Sequence, residues 1–206
     1  MANNSNDGIF ISRFVGVDVL SASNIVYPII NLLIGVGVMF STGRGAIVAK
    51  LMGEGKDKEA KEGFTSIAIS GLVVGCIVSL ICIIFIDKII YTLGGNDQLY
   101  KYCYDYLLWM LIFTPFLILK IYSDYFLITA GVAKLGLINA IGGGVLNIVL
   151  DYIFLYIFKM GITSAAIATG LGYGVPSIIG IIHFSKKSSA IHFVKFKFNF
   201  KLIKLF

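Results

Sequence analysis

The chain has 206 residues, of which 58% are hydrophobic and only 14% charged, and its mean hydropathy is +0.91. Water-soluble domains carry about 25% charged residues, so a soluble globule is excluded and a membrane class is the first inference. The net charge of +6 does not mark a nucleic-acid binder, because most of the 17 basic residues fall between apolar runs, where they report membrane topology.

The opening MANNSND is polar and lacks the basic n-region of a secretory signal. Residues 9–17 are apolar but contain Arg13 and are too short to cross a bilayer. Residues 19–43 form an uncharged run of 25, and a span needs about 20. The stretch RGAIVAKLMGEGKDKEAKE follows, with five basic and four acidic residues, and reads as aqueous or interfacial. Residues 63–86 form a second span, ended by a polar turn at GGNDQ. The third, 102–130, contains Asp105, Lys120 and Asp124, but the alternation of its neighbours requires a crossing there. Residues 135–158 and 161–184 supply the fourth and fifth, and a basic, aromatic tail occupies 185–206. Pro28, Pro115 and Pro176 all fall inside spans, where neighbouring helices or cavity water can satisfy the freed carbonyls. The composition predicts an all-α, polytopic membrane helix bundle.

Segments after the first, third and fifth spans hold 12 basic residues, the opposite side holds four, and Lys120 lies within a span. That asymmetry predicts that the loops after spans one, three and five are cytoplasmic. Cys76, Cys82 and Cys103 have no CxxC spacing and no histidine cluster, so they read as small apolar residues, not as metal ligands. No HExxH, GxSxG or paired intramembrane aspartate motif points to a membrane enzyme.

Asp151 is the single charge in the 24 residues 135–158. An ionised carboxylate at mid-membrane depth costs at least about 2.5–3.5 kcal/mol and by default faces a bundle interior. Asn139, Gly143, Asn147 and Asp151 are spaced four apart and therefore share one helix ridge. The pattern allows a proton or sodium site, with charge from the carboxylate and an oxygen from the carboxamide. It also allows an interhelical hydrogen bond that holds two helices together. A second ridge runs through Ser21, Asn24, Tyr27, Asn31 and Gly35, and a third through Thr169, Tyr173 and Ser177. For the second, cavity lining and close packing stand as equal readings. Lys120 and Asp124, at i and i+4, read as an intrahelical pair. The GxGxG within ATGLGYG (168–174) lies inside an apolar helix and not after a strand, so it reads as a packing face, not a nucleotide loop. The alternating Lys195, Phe196, Lys197 and Phe198 read as an interfacial segment with snorkelling lysines.

Three stretches carry a family resemblance. GRGAIVAKLMGEGKDKEAKEGF (43–64) resembles the loop after the second helix of multidrug and toxic compound extrusion (MATE) transporters. NIVLDYIF with GITSAAIAT (161–169) resembles their fifth-to-sixth helix junction, and DGIFISRFVG (7–16) the end of their first helix. The resemblance implies an N-terminal lobe, residues 1–184, of about five complete transmembrane helices plus the end of a first one. It would lack its C-terminal lobe or pair with a second copy. It also implies export of drugs or organic cations in exchange for H+ or Na+, with no cofactor beyond that coupling ion. By the same resemblance, Asp7, Asn147, Asp151 and Thr169 would form a cation-coupling site; from the polar ridges, Asn24, Tyr27, Asn31, Asn139 and Tyr173 are the candidate cavity-lining residues. The family often has an arginine near the end of the fourth helix, and LITAGVAK (127–134) has none. The alternatives are a lipid-linked oligosaccharide flippase of the same superfamily and a non-transporting membrane scaffold or remnant. The first would need cationic cavity residues where only Lys120 is available.

Overall fold

A computed structural model describes residues 17–158 and 161–195. Asp7, the rest of the 7–16 motif and the tail beyond 195 lie outside the described residues. Among the described residues every regular element is helical. Helix α1 (Val17–Val38) passes through a π-helical segment (Met39–Gly43) into α2 (Gly45–Gly53). Then come α3 (Asp57–Ile84), the short α4 (Ile86–Thr92), α5 (Asp97–Ile112), α6 (Thr114–Thr129) and α7 (Ala133–Asp151). A second π-helical segment (Tyr152–Ile157) extends α7, and α8 (Ile162–Ser185) closes the bundle.

Among the described residues four helices are long and apolar enough to cross a membrane: Asp18–Gly53, Asp57–Ile84, Ala133–Ile157 and Ile162–Ser185. Helices α5 and α6 pass the same test only when taken together, as a pair bent by 52° at the break between them. The bundle is therefore the all-helical membrane architecture that the composition predicts. Its outer faces are apolar, as lipid requires: Val73, Ile77, Leu80, Ile81 and Ile84 of α3 are exposed, and so are Ile138, Ile141, Val145 and Val149 of α7.

The first span has 36 residues, about 54 Å of helix against about 30 Å of hydrocarbon. Its α2 end must therefore project into water. The stretch 44–62, which reads as a loop from sequence, is divided by the structure. Residues Gly45–Gly53 continue the helix, with Val48 and Leu51 buried beside Phe64 and Ile67. The chain then reverses at Gly55, whose φ of +72° suits a residue without a Cβ. Lys56 N–H donates to Leu51 O at 2.9 Å and Gly55 N–H to Met52 O at 3.0 Å, which satisfies the last carbonyls of α2. Asp57 and Glu59 then occupy the first turn of α3, where the helix dipole favours negative charge.

The bend between α5 and α6 has a chemical cause. Pro115 has no N–H to give the carbonyl four residues earlier, that of Leu111. Ser79 of α3 supplies the donor: its Oγ donates to Leu111 O at 2.6 Å in a buried setting. Ser79→Ala is expected to lower stability by about 1 kcal/mol, the usual size of a single interhelical hydrogen bond in a membrane protein. A thermal melt in detergent checks this, with a fall of a few degrees expected and an unchanged midpoint as the contrary result.

One end of the bundle closes around Phe64, whose ring centroid lies 4.9–5.0 Å from those of Tyr122, Phe126, Phe184 and Phe193. Tyr122 Oη donates to Phe64 O at 2.6 Å. The start of the tail folds back into this cluster, while Phe196, Lys197 and Phe198 of the Lys/Phe alternation lie outside the described residues. Ile191 is fully buried, Phe193 N–H donates to Phe184 O at 2.9 Å, and Val194 N–H donates to Thr65 Oγ1 at 3.1 Å.

Candidate functional site

Helix α7 is built inside out relative to a soluble helix. Its buried residues are Gly136, Asn139, Gly143, Asn147 and Asp151, while its isoleucines and valines face outward. Lipid solvates apolar side chains as well as a protein core does, so the polar and small residues are the ones that turn inward. The ridge that four-residue spacing predicts is thus the packing face of the helix.

That face meets α8 at close range. A Cβ on Gly143 would stand 2.6 Å from Pro176 Cγ and 2.9 Å from Gly172 O, and one on Gly172 would stand 3.0 Å from Asn147 Cβ. Glycine at both positions lets the two backbones approach, as small residues do at membrane helix crossings. Gly170, in the same GxGxG, is covered by the Phe113 ring, so the motif is a packing face as its sequence context predicts.

Close approach brings polar groups together across the seam. Asn147 Nδ2 donates to Thr169 Oγ1 at 3.3 Å, and Asn139 Nδ2 donates to Pro176 O at 3.1 Å. Asp151 lies one turn beyond Asn147 on the same face and is fully buried, as is Asn147. The carboxamide oxygens Asn139 Oδ1 and Asn147 Oδ1 are buried and accept no hydrogen bond among the described residues. Directly after Asp151 the helix widens into its π-helical segment, a feature with no signal in the local sequence. Such segments recur at functional sites because they re-aim neighbouring groups.

The structure thus joins Asn147 and Thr169 and puts Asp151 beside them on the buried ridge. Of the expected lining residues, Asn139 and Tyr173 are buried, Tyr27 is half-buried, and Asn24 and Asn31 are exposed on the outside of α1. Lys120 and Asp124 form the intrahelical pair that their spacing predicts, at 2.8 Å. Among the described residues no group of three or more His, Cys, Asp or Glu side chains is placed to hold a metal ion. Ser79 was not legible as the partner of the α5–α6 bend. Pro115 signals the freed carbonyl, but nothing local says which helix answers it.

The MatE family model matches residues 4–153. The chain belongs to the MATE family. It is 31% identical over 185 residues to the multidrug export protein MepA of Staphylococcus saprophyticus, covering 89% of this chain and 41% of that protein. It is 29% identical to MepA of Staphylococcus aureus, covering 96% of this chain and 44% of the relative. Among solved structures, it superposes on an outward-facing multidrug resistance MATE transporter with a TM-score of 0.86 and 25% identity, over 98% of this chain and 46% of that one. A MOP superfamily transporter from Pyrococcus furiosus, described as having a binding pocket of reverse polarity, matches with the same TM-score and identity. The chain therefore spans less than half the length of the MATE relatives it matches.

Proposed function

We propose that this chain forms the N-terminal lobe of a MATE-type exporter that moves drugs or organic cations across the cell membrane in exchange for H+ or Na+. The observation that carries the reading is the buried Asn147–Thr169 contact, one helical turn from the fully buried Asp151. A carboxylate in such a place is costly when ionised and bare. Its cost falls when a proton or a sodium ion arrives, and the neighbouring carboxamide and hydroxyl oxygens can share in holding a cation. A group whose state changes with ion occupancy can bias a helix pair between two arrangements, which is what exchange requires. Asp7 would add a second carboxylate from the first helix.

In this reading the ends bearing Lys50, Lys56, Lys58, Lys61, Lys134, Lys186 and Lys187 face the cytoplasm, in keeping with the excess of positive charge there. The exposed polar residues Asn24 and Asn31 would then line a cavity shared with the second lobe. Alternating access needs two repeats rocking about a shared site, so transport belongs to this lobe together with a second one. The flippase reading is less well supported, since Lys120 is held by Asp124 and is not free to bind pyrophosphate.

The test is ethidium transport into everted membrane vesicles holding this chain, alone and together with the C-terminal half of the staphylococcal MepA. Accumulation that collapses when the H+ and Na+ gradients are dissipated is the expected result for the paired lobes. Accumulation in neither preparation, or accumulation indifferent to both gradients, would overturn the reading.

A further inference from the structure

Three lysines gather at the end of the bundle that Phe64 closes. Lys58, Lys61 and Lys195, with Asp57, Glu62 and Val194, line an open cleft of about 540 Å³ between the first turns of α3 and the returning tail. Elsewhere on the described chain lysines find partners: Lys50 and Lys56 pair with Glu54 at 3.8 and 2.7 Å, and Lys120 with Asp124. The cleft lysines form no ion pair among the described residues. Yet Lys58 and Glu62 stand at the i, i+4 spacing that favours one. Their charges remain available to a ligand.

The cleft has a definite depth. The Phe64 and Phe184 ring centroids are 4.9 Å apart, and Phe184 is the last apolar residue of α8 before Ser185, Lys186 and Lys187. That level marks the edge of the hydrocarbon. Lys61 and Lys58 precede Phe64 by three and six residues, about 4.5 and 9 Å along the helix. The headgroup layer is about 5–8 Å deep on each side of a bilayer. Flexible lysine stems cover the difference. Lys195 is brought to the same layer by its neighbour, since Val194 N–H donates to Thr65 Oγ1 at 3.1 Å and Ile191 is buried beneath. A basic cleft at the end of a helix bundle, at this depth, meets phospholipid phosphates.

The two acids narrow the choice of lipid. Three lysines against two carboxylates leave one net positive charge, which matches a headgroup carrying one negative charge. A bare phosphate would be repelled by Asp57 and Glu62. A phosphodiester that also bears hydroxyl donors satisfies both signs at once.

We propose that this cleft binds the headgroup of an anionic phospholipid of the phosphatidylglycerol kind. Lys58, Lys61 and Lys195 hold its phosphate, and Asp57 and Glu62 accept from its glycerol hydroxyls. Bound there, the lipid bridges α3 and the tail, and so stabilises the docking of residues 191–195. The site is independent of the role of Asp151.

The experiment is thermal unfolding of the purified full chain in a neutral maltoside detergent doped with graded phosphatidylglycerol, phosphatidylethanolamine or phosphatidylcholine. Phosphatidylglycerol is expected to raise the midpoint at a lower mole fraction than either of the others. The half-effective fraction should rise about fivefold for each lysine removed, in Lys195→Gln and in Lys58→Gln with Lys61→Gln. All three side chains are exposed or half-buried, so folding does not depend on them. Lys88→Gln with Lys101→Gln takes the same charge from the opposite end of the bundle and should change nothing. No rise with phosphatidylglycerol, or an equal rise with phosphatidylethanolamine, would overturn the proposal. An equal weakening in the Lys88 and Lys101 pair would also overturn it, because the lipid would then be felt only as diffuse charge. A rise reproduced by inorganic phosphate without lipid would assign the cleft to a soluble anion and overturn the lipid.

Discussion

Asp151→Asn is expected to abolish gradient-driven export in the paired-lobe vesicles while leaving the chain as stable as before, or more stable. The two halves of that outcome have one cause. Asp151 is fully buried at the end of α7, where holding a charge costs at least about 2.5–3.5 kcal/mol. The amide has nearly the same shape and can still accept a hydrogen bond, so packing survives. It removes the charge, and with it both the cost of burial and the ability to take up a cation. If the side chain were only glue between α7 and its neighbours, the substitution would instead loosen the bundle and leave exchange largely intact. Ethidium transport and a thermal melt on the same preparation decide the matter. Wild-type export together with a fall of several degrees in the midpoint would show that Asp151 is structural.

Gly143→Ala and Gly142→Ala, one residue apart, are expected to act in opposite directions. A Cβ at Gly143 meets Pro176 Cγ at 2.6 Å and the Gly172 carbonyl at 2.9 Å, and the second neighbour is backbone that cannot swing aside. The helices must separate, which costs about 1–3 kcal/mol as overpacking. Separation also strains the Asn147–Thr169 contact, already 3.3 Å long. At Gly142 a Cβ meets nothing within 4 Å. There alanine lowers the entropy lost on forming the helix and stabilises by about 0.5–1 kcal/mol. A thiol-reactive dye can report both melts, because Cys82 and Cys103 are buried and become accessible on unfolding. Equal midpoints for the two variants would mean that α7 and α8 do not meet at Gly143.

Composition and periodicity alone determine much of this protein. So few charges cannot coat a soluble globule, so the chain is a membrane protein, and its apolar runs must be helices because lipid leaves backbone groups no other partner. Helical spacing puts Asn139, Gly143, Asn147 and Asp151 on one ridge and pairs Lys120 with Asp124, since both facts concern a single helix whose geometry is local. Tertiary structure decides which way a ridge faces. The polar ridges of α1 and α7 look alike in sequence, yet Asn24 and Asn31 are exposed while Asn139 and Asn147 are buried. The difference lies in the partner: α7 meets the glycines and proline of α8, far along the chain, and only a helix with such a surface can approach closely enough to cover carboxamides. The Ser79 donor at the α5–α6 bend and the return of Ile191 to the Phe64 cluster were settled in the same way. Each joins residues far apart in sequence, where helical periodicity carries no information about which surfaces will meet.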